Sequence, residues 1–255
     1  MNADIDTTDD AVLGGRLRLL QPKRGHRIGH DAILLAAATG GAFGERVADL
    51  GAGIGGAGLA LASRIAGLDV TLVEIDPALC ALANKNAARN GLDDRVRAVP
   101  CDVEDIDALA AAGLHAASFD RVLMNPPFND PGRQQSSPDA RRRLAHVADE
   151  GLGVRWVSTA AWLLKPQGVL TLIWRAAVRD EIVRAMQSGF GQIGVQPILP
   201  RSGAEPIRVL VRAVKGEAGR LPDYPPLLLN DAQGKPTPAA EDILRAALPL
   251  PMAQT

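Results

Sequence analysis

The amino-acid sequence predicts an α/β fold built on a doubly wound, mixed sheet of seven strands that ends in an antiparallel hairpin. Three observations predict it. Short apolar, β-branched segments alternate with segments rich in Ala and Leu, as in successive βα units. The first of these strands runs directly into a glycine-rich turn. The last two strands are separated only by a short turn containing Pro and Gly, so we expect them to pair antiparallel.

Strands and helices alternate in a regular order along the chain. A short strand or hairpin at 13–20 precedes a helix at 30–39, which Gly40 and Gly41 end. Pro77 in the first turn and Gly91 after the last turn delimit the helix at 77–90. Strands are expected at 46–50, 69–75, 95–100, 119–124, 168–174, 193–199 and 207–214, and helices at 55–66, 77–90, 104–112, 152–164, 176–188 and 239–248.

These elements divide the chain into four parts. We expect a disordered acidic leader at 1–11 and a basic segment with one helix at 12–44. The sheet domain follows at 45–215. The Pro-rich remainder, 216–255, is expected to form an appendage packed on the sheet.

Composition excludes several classes of protein. The chain has 255 residues, with 28 Lys and Arg against 29 Asp and Glu, so it is not a uniformly basic nucleic-acid-binding protein. Cys80 and Cys101 are too few for a disulfide scaffold, and neither they nor the four His residues have metal-ligand spacing. No apolar run approaches the roughly 18 residues of a membrane helix. The acidic start is unlike a signal peptide. We therefore expect a cytoplasmic protein that binds neither a metal ion nor a membrane.

A glycine-rich turn follows the strand at 46–50. Gly51, Gly53 and Gly55 permit close approach of a ligand to the backbone, and the helix that follows presents free N–H groups. Gly51, Gly53 and Gly56 also satisfy the dinucleotide pattern G-x-G-x-x-G. Asp49 argues against a dinucleotide, because its carboxylate would repel a pyrophosphate. It suits a cationic ligand or an amino group. A tight turn without a ligand is the alternative.

Acidic residues follow the next two strands. Glu74 lies 21 positions after Gly53, the interval at which a carboxylate meets ribose hydroxyls. Ile75 is its neighbour, and Asp76 is placed to cap the helix that begins at Pro77. Asp102 is a candidate acceptor for an adenine amino group, or else a cap for a helix starting at 104. These acids do not separate a nicotinamide cofactor from S-adenosylmethionine, since both carry an adenosine ribose.

The segment Asn125-Pro126-Pro127-Phe128 ends the fourth strand of the predicted sheet. An exocyclic amine or an amide nitrogen is a poor nucleophile because its lone pair is delocalised. Two acceptors that bind its N–H groups favour a tetrahedral nitrogen, and the Asn125 side chain and Pro126 carbonyl can supply them. The prolines fix the direction of that carbonyl. Phe128 offers a flat face for a planar base.

With these motifs in place, the chain resembles the class I S-adenosylmethionine-dependent methyltransferases, which have a Rossmann-like sheet. The segment 20–35 makes it more similar to the bacterial tRNA adenine-N6 methyltransferases that modify the anticodon loop of a valine tRNA. The resemblance extends from about Val12 to Leu248. It implies that Asn125, Pro126, Pro127 and Phe128 are catalytic, and that the cofactor is bound by Arg27, Gly29, Asp31, Asp49, Gly51, Gly53, Gly55, Glu74, Ile75, Asp102, Val103 and Asn125.

Basic residues flank the predicted pocket. Lys23 and Arg24 lie in a window without acids, and Arg133 and Arg141–Arg143 follow the Asn-Pro-Pro-Phe segment. We expect these six residues to bind RNA phosphates around a flipped base; a solvated, Arg-rich surface is the alternative. The subgroup usually has an Ala-Arg-His-Glu-like segment here, whereas this chain has 141–147 without the acid.

The sequence thus predicts an enzyme that moves a methyl group from S-adenosylmethionine to adenine N6 in RNA, with tRNA as the expected substrate. A glutamine-N5 methyltransferase acting on a protein is the alternative closest in chemistry, because an amide nitrogen needs the same acceptors. A nicotinamide dehydrogenase and a non-catalytic cofactor-binding regulator are alternatives from other classes.

Overall fold

A computed structural model describes residues 6–24, 27–127 and 140–254, with the backbone alone described for 140–150. Its centre is one sheet of eight strands in the order β10-β8-β9-β7-β6-β3-β4-β5. The five strands from β3 to β7 run parallel, and β9 pairs antiparallel with both β7 and β8. The strands of this sheet are β3 (Arg46–Leu50), β4 (Asp69–Glu74), β5 (Val96–Pro100), β6 (Phe119–Met124), β7 (Leu164–Arg175), β8 (Phe190–Arg201), β9 (Arg208–Lys215) and β10 (Leu227–Asn230).

Helices cover both faces of the sheet. On one face, buried residues of α1, α2, α3 and α7 pack against sheet residues such as Val47, Leu72 and Leu123. On the other face, α4, α5 and α6 pack against Leu50, Val73 and the other strand residues that point to that side of the sheet. The helices are α1 (His30–Ala38), α2 (Gly56–Arg64), α3 (Pro77–Arg89), α4 (Ile106–Ala111), α5 (Ala140–Leu163), α6 (Arg179–Met186) and α7 (Pro238–Leu244). The doubly wound mixed fold and its antiparallel hairpin are confirmed.

The predicted seven strands become eight because the appendage contributes β10. Strand β10 pairs parallel with β8, with Leu227 opposite Ile198. Leu227 is buried in the core, which explains why this short segment pairs although its Pro-rich surroundings do not indicate a strand. Residues 227–230 of the predicted appendage therefore extend the sheet itself, and α7 packs on one face of it.

The expectation of a disordered leader is wrong for the residues from Thr7 onward. Strand β1 (Thr7–Val12) pairs antiparallel with β2 (Leu17–Pro22) in a separate two-stranded sheet. The strand is held by its backbone pairing with β2, whose Leu17 and Leu19 are buried. Asp9 forms ion pairs with Arg18 at 3.1 Å and with Arg89 of α3 at 2.7 Å, so basic partners balance the acidic strand.

Within the part of the chain that the structure describes, no helix is both long enough and apolar enough to cross a lipid bilayer.

Candidate functional site

The register of the sheet brings three predicted segments to one edge. Leu50, the last residue of β3, lies opposite Val73 of β4 on one side and Met124 of β6 on the other. All three strands are parallel, so the residues that follow them leave the sheet at the same carboxyl edge. Strand order also reverses here, because β3 is followed in sequence by β4 on one side and adjoins β6 on the other. Open α/β sheets bind ligands at such a switch point.

The glycine loop after β3 is held by the neighbouring strand. The backbone N–H groups of Gly51 and Ala52 both donate to the Val73 carbonyl, each at 2.9 Å. Gly53 has a φ of 58°, and a Cβ built on it would meet no atom within 4 Å. Its backbone therefore borders open space, as expected for a segment that a ligand approaches.

The other two glycines of the loop are required for packing. A Cβ on Gly51 would lie 2.5 Å from the ring of Trp156 in α5. A Cβ on Gly55 would lie 2.8 Å from Leu72 and 3.0 Å from Leu59, and Gly55 also has a φ of 87°. Contact of either glycine with a cofactor stays a prediction, but both need the absence of a side chain for reasons internal to the fold.

Glu74 is buried, with 8% of its surface exposed, and its carboxylate is held by two backbone donors. Oε2 accepts from the N–H of Gly53 at 2.8 Å, and Oε1 accepts from the N–H of Asp76 at 3.0 Å. An ionised carboxylate has about four lone-pair positions, so these two bonds leave acceptor capacity for hydroxyl groups. Ile75 beside it is 63% exposed at the rim. Asp76 caps α3 by accepting from Ala78 N–H at 2.8 Å, as predicted.

Asp49 is directed into the protein rather than to the rim. It is 2% exposed, and its Oδ2 accepts from the N–H of Gly58 in the first turn of α2 at 2.8 Å. Since Gly55 at the cap position of α2 has no side chain, Asp49 takes over this capping bond from the neighbouring strand. Burial raises the pKa of Asp49 to about 7, the charge of Glu74 adds to this, and the Gly58 bond opposes it. Its contact with a ligand stays a prediction.

Asp102 is exposed and forms a local turn. Its Oδ1 accepts from Glu104 N–H at 2.9 Å. The interpretation of Asp102 as a helix cap is wrong, because α4 begins at Ile106 and its cap is Asp105. Val103 is buried, and its carbonyl accepts from the Thr159 hydroxyl of α5 at 3.0 Å.

Asn125 follows β6 at the same edge. Its Oδ1 is buried and has no hydrogen-bond partner among the residues that the structure describes. Buried amide oxygens are nearly always paired in folded proteins, so an unpaired one at the carboxyl edge of the sheet is a candidate acceptor for a substrate group. That role stays a prediction. Pro126 is buried and Pro127 is exposed. Phe128 and Arg133 lie outside the described residues.

The segment before α1 is fastened to the N-terminal hairpin. The Arg27 guanidinium donates to Asp10 at 2.6 Å, to the Thr8 hydroxyl at 3.0 Å and to the Pro22 carbonyl at 3.1 Å. Asp31 pairs with Arg208 of β9 at 2.9 Å. These contacts position the segment, with Gly29 as the residue that precedes α1. A direct cofactor contact by Arg27, Gly29 or Asp31 stays a prediction.

The predicted RNA-binding residues that the structure describes occupy two places. Lys23 pairs with Asp6 at 2.8 Å, and Arg24 is exposed beside it. Arg141–Arg143 lie in the first turn of α5. Their contact with RNA stays a prediction.

Two residues that support the site are not identified by sequence reasoning. Trp156 lies against Gly51, a contact that its position in a helix does not predict. Asn86 of α3 is fully buried and donates to the Ile54 carbonyl of the glycine loop at 3.2 Å. Polar Asn residues one helical turn apart at 86 and 90 are the available signal, but they do not name a partner. Within the described residues, no group of three His, Cys, Asp or Glu side chains is arranged to hold a metal ion.

Comparison with known proteins identifies the relatives of this chain. The sequence profile of the methyltransferase small domain matches residues 28–197. A tRNA1(Val) (adenine(37)-N6)-methyltransferase of Porphyromonas gingivalis is 32% identical over 58% of this chain, and the match spans 58% of that relative's length. A protein of the same name from Aeromonas hydrophila is 31% identical over 74% of this chain and 77% of its own.

A solved structure extends this similarity to the fold. The crystal structure of a predicted O-methyltransferase from Agrobacterium tumefaciens aligns with a TM-score of 0.70 at 32% identity. The alignment covers 84% of this chain and 94% of that one.

Proposed function

This chain belongs to the family of the methyltransferase small domain, and we propose that it methylates the exocyclic N6 of an adenine in RNA, with tRNA as the substrate class. S-adenosylmethionine is the proposed methyl donor, and when bound it supplies a methyl group on a positively charged sulfur. The single observation that carries the proposal is the buried Oδ1 of Asn125 at the carboxyl edge of the sheet, which has no partner among the described residues.

Asn125 and Pro126 have the chemistry that an amino group requires. An amine attached to an aromatic ring has two N–H groups and a lone pair delocalised into the ring. Asn125 Oδ1 is proposed to accept one N–H, and the Pro126 carbonyl the other. Holding both directs the lone pair out of the ring plane, and catalysis is then largely positioning. The methylated nitrogen is acidic enough to lose its extra proton without a strong base.

The glycine loop and Glu74 fit the proposed donor. Gly53 borders open space, and Glu74 is a buried carboxylate with acceptor capacity beyond its two backbone donors. We propose that Gly51 and Gly53 lie against the methionine part and that Glu74 accepts from the ribose hydroxyls. Ile75, Asp102 and Val103 are proposed to surround the adenine. Arg27, Gly29 and Asp31 are proposed to close the pocket.

The relatives favour a nitrogen in RNA as the methyl acceptor. Two curated relatives are named as adenine-N6 methyltransferases of a tRNA, whereas the Agrobacterium structure is named as a predicted O-methyltransferase. A hydroxyl group has one hydrogen to donate, so a pair of acceptors at 125 and 126 suits an amine better. Lys23, Arg24, Arg133 and Arg141–Arg143 are proposed to contact the RNA phosphates.

The test is incubation of the protein with methyl-labelled S-adenosylmethionine and total tRNA, followed by mass spectrometry of the nucleosides. We expect label in N6-methyladenosine. Label in a 2′-O-methylated nucleoside would contradict the proposed nitrogen acceptor. Label in a glutamine of an added release factor, with none in tRNA, would assign the protein to amide methylation instead. Absence of label from both substrates, with tight cofactor binding, would indicate a non-catalytic binder.

A further inference from the structure

The side-chain amide of Asn86 joins three parts of the molecule. Its Oδ1 accepts from the N–H of Leu20 at 2.8 Å, and its Nδ2 donates to the carbonyl of Leu20 at 3.1 Å. The same Nδ2 donates to the carbonyl of Ile54 at 3.2 Å. One buried amide of α3 therefore holds strand β2 and the glycine loop at once.

Asn90 makes the first of these contacts without the second. Its Oδ1 accepts from Arg18 N–H at 2.9 Å, and its Nδ2 donates to the Arg18 carbonyl at 3.0 Å. Residues four apart on a helix rise by about 6 Å, and residues two apart on a strand by about 6.6 Å. Asn86 and Asn90 thus match Leu20 and Arg18, and they occupy the edge of β2 that faces away from β1.

The Ile54 carbonyl lies between the two glycines that shape the loop. Gly53 precedes it and donates its N–H to Glu74, whereas Gly55 follows it and begins the turn into α2. Fixing this carbonyl fixes the peptide plane between Ile54 and Gly55 and restrains the chain that leads back to Gly53. The position of the Gly53 N–H, and through it the Glu74 carboxylate, depends on where the loop is held.

We propose that Asn86 is a positioning residue for cofactor binding, which holds the glycine loop through the Ile54 carbonyl while it anchors β2. This inference rests on the proposed function, since it assigns the loop to a bound cofactor. Asn90 provides the matched control, because it anchors the same strand from the same helix and its side chain bonds to Arg18 and Asn86 rather than to the loop. The difference between the two asparagines is the loop contact.

The test compares Asn86→Ala with Asn90→Ala in the full chain. We expect Asn86→Ala to weaken binding of S-adenosylhomocysteine by at least tenfold in calorimetry and to raise the KM for S-adenosylmethionine by a similar factor. The KM for tRNA should stay within twofold, and kcat within a few-fold. Asn90→Ala should leave cofactor binding within twofold, although its melting temperature falls. Equal losses of affinity in both variants would overturn the proposal, as would unchanged affinity in Asn86→Ala.

A second measurement does not depend on the cofactor. Native-state hydrogen exchange of the peptide covering 51–56 should become faster in Asn86→Ala and should stay at the wild-type rate in Asn90→Ala. If wild-type protein does not bind S-adenosylhomocysteine, the proposed function fails while this measurement still decides whether Asn86 holds the loop. If Asn86→Ala does not fold, Asn86→Ser replaces it. Failure of both to fold would overturn the proposal, since a structural anchor alone would then account for Asn86.

Discussion

The Glu74 carboxylate and the Gly53 N–H are joined by a hydrogen bond of 2.8 Å across the ends of two neighbouring strands. The sequence places the two residues 21 positions apart and suggests that each meets the same ligand from its own side. The structure adds that they bind each other, so the acid proposed for the ribose also shapes the loop proposed for the methionine part. A change at either residue is therefore expected to affect both regions of the pocket.

Glu74→Gln tests this double role. Gln keeps one acceptor but places an NH₂ group against one of the two backbone donors, Gly53 N–H or Asp76 N–H. We expect the free energy of unfolding to fall by about 1–3 kcal/mol, the cost of a buried unsatisfied donor. Affinity for S-adenosylhomocysteine should fall at least tenfold in calorimetry. Glu217→Gln, which alters an exposed bond to Gln167, is the control. Unchanged affinity in Glu74→Gln would show that its carboxylate does not face the cofactor.

Asn125→Ala is expected to reduce turnover to a small residual rate while leaving cofactor affinity within a few-fold. Removing one preorganised hydrogen-bonding group commonly lowers kcat by about 10²–10³. Single-turnover methylation of tRNA measures the chemical step, and calorimetry measures cofactor binding. Asn125→Asp keeps an acceptor oxygen at position 125 beside the Pro126 carbonyl and should retain measurable turnover. Loss of cofactor binding in Asn125→Ala with residual chemistry would show that Asn125 is misassigned.

Gly53→Ala and Gly55→Ala separate the two uses of glycine in the loop. Both residues have positive φ, which costs an alanine on the order of 1 kcal/mol. Gly55→Ala also places a methyl group 2.8 Å from Leu72, so its unfolding free energy should fall by a further amount of about 1–3 kcal/mol. Gly53→Ala should weaken cofactor binding, and its unfolding free energy should fall less than that of Gly55→Ala. Equal stability of the two variants in urea unfolding would contradict this assignment.

Asp49 predicts a stability that depends on pH. Its pKa rises from 3.8 to about 7 in the folded protein, so the folded state holds a proton that the unfolded state releases. The contribution of this bound proton to the free energy of unfolding is complete below about pH 4. It is lost as the pH rises through 7. At about 1.4 kcal/mol per pKa unit, the loss is on the order of 4 kcal/mol at most.

Urea unfolding between pH 5 and pH 8 measures this dependence. Asp49→Asn keeps an acceptor for Gly58 N–H and cannot ionise, so its stability should vary less with pH than that of the wild type. Asp93→Asn, at an exposed carboxyl group, should leave the wild-type slope unchanged. Identical slopes in Asp49→Asn and wild type would mean that Asp49 does not titrate in this range.

Combined substitution of Arg141, Arg142 and Arg143 by Ala tests the proposed RNA surface. Removing each arginine that binds a phosphate should reduce the salt dependence of tRNA binding by roughly one in the log–log slope. Cofactor affinity should be unchanged. Arg184→Ala, at an exposed position on α6, is the control. Wild-type tRNA affinity and salt slope in the triple variant would remove this surface from the proposal.

The sequence by itself determined the order of the strands from β3 to β9 and of the helices between them, the doubly wound mixed sheet and the positions of the chemical motifs. Strand β3 at 46–50 and strand β6 at 119–124 agree with their predicted bounds. The physical reason is local. Apolar alternation, glycine turns, proline at helix starts and aspartate caps act over a few residues, and each is visible in the sequence.

Only the tertiary structure decided which groups bind each other across the sheet. It turned Asp49 inward to cap α2, paired the acidic strand β1 with basic partners and added β10 as an eighth strand. It also placed Asn86 between β2 and Ile54, residues 66 and 32 positions away in sequence. Such contacts join residues that are far apart in sequence, and they form only when the packed elements approach each other in space. A local pattern of residues does not predict which elements will be in contact.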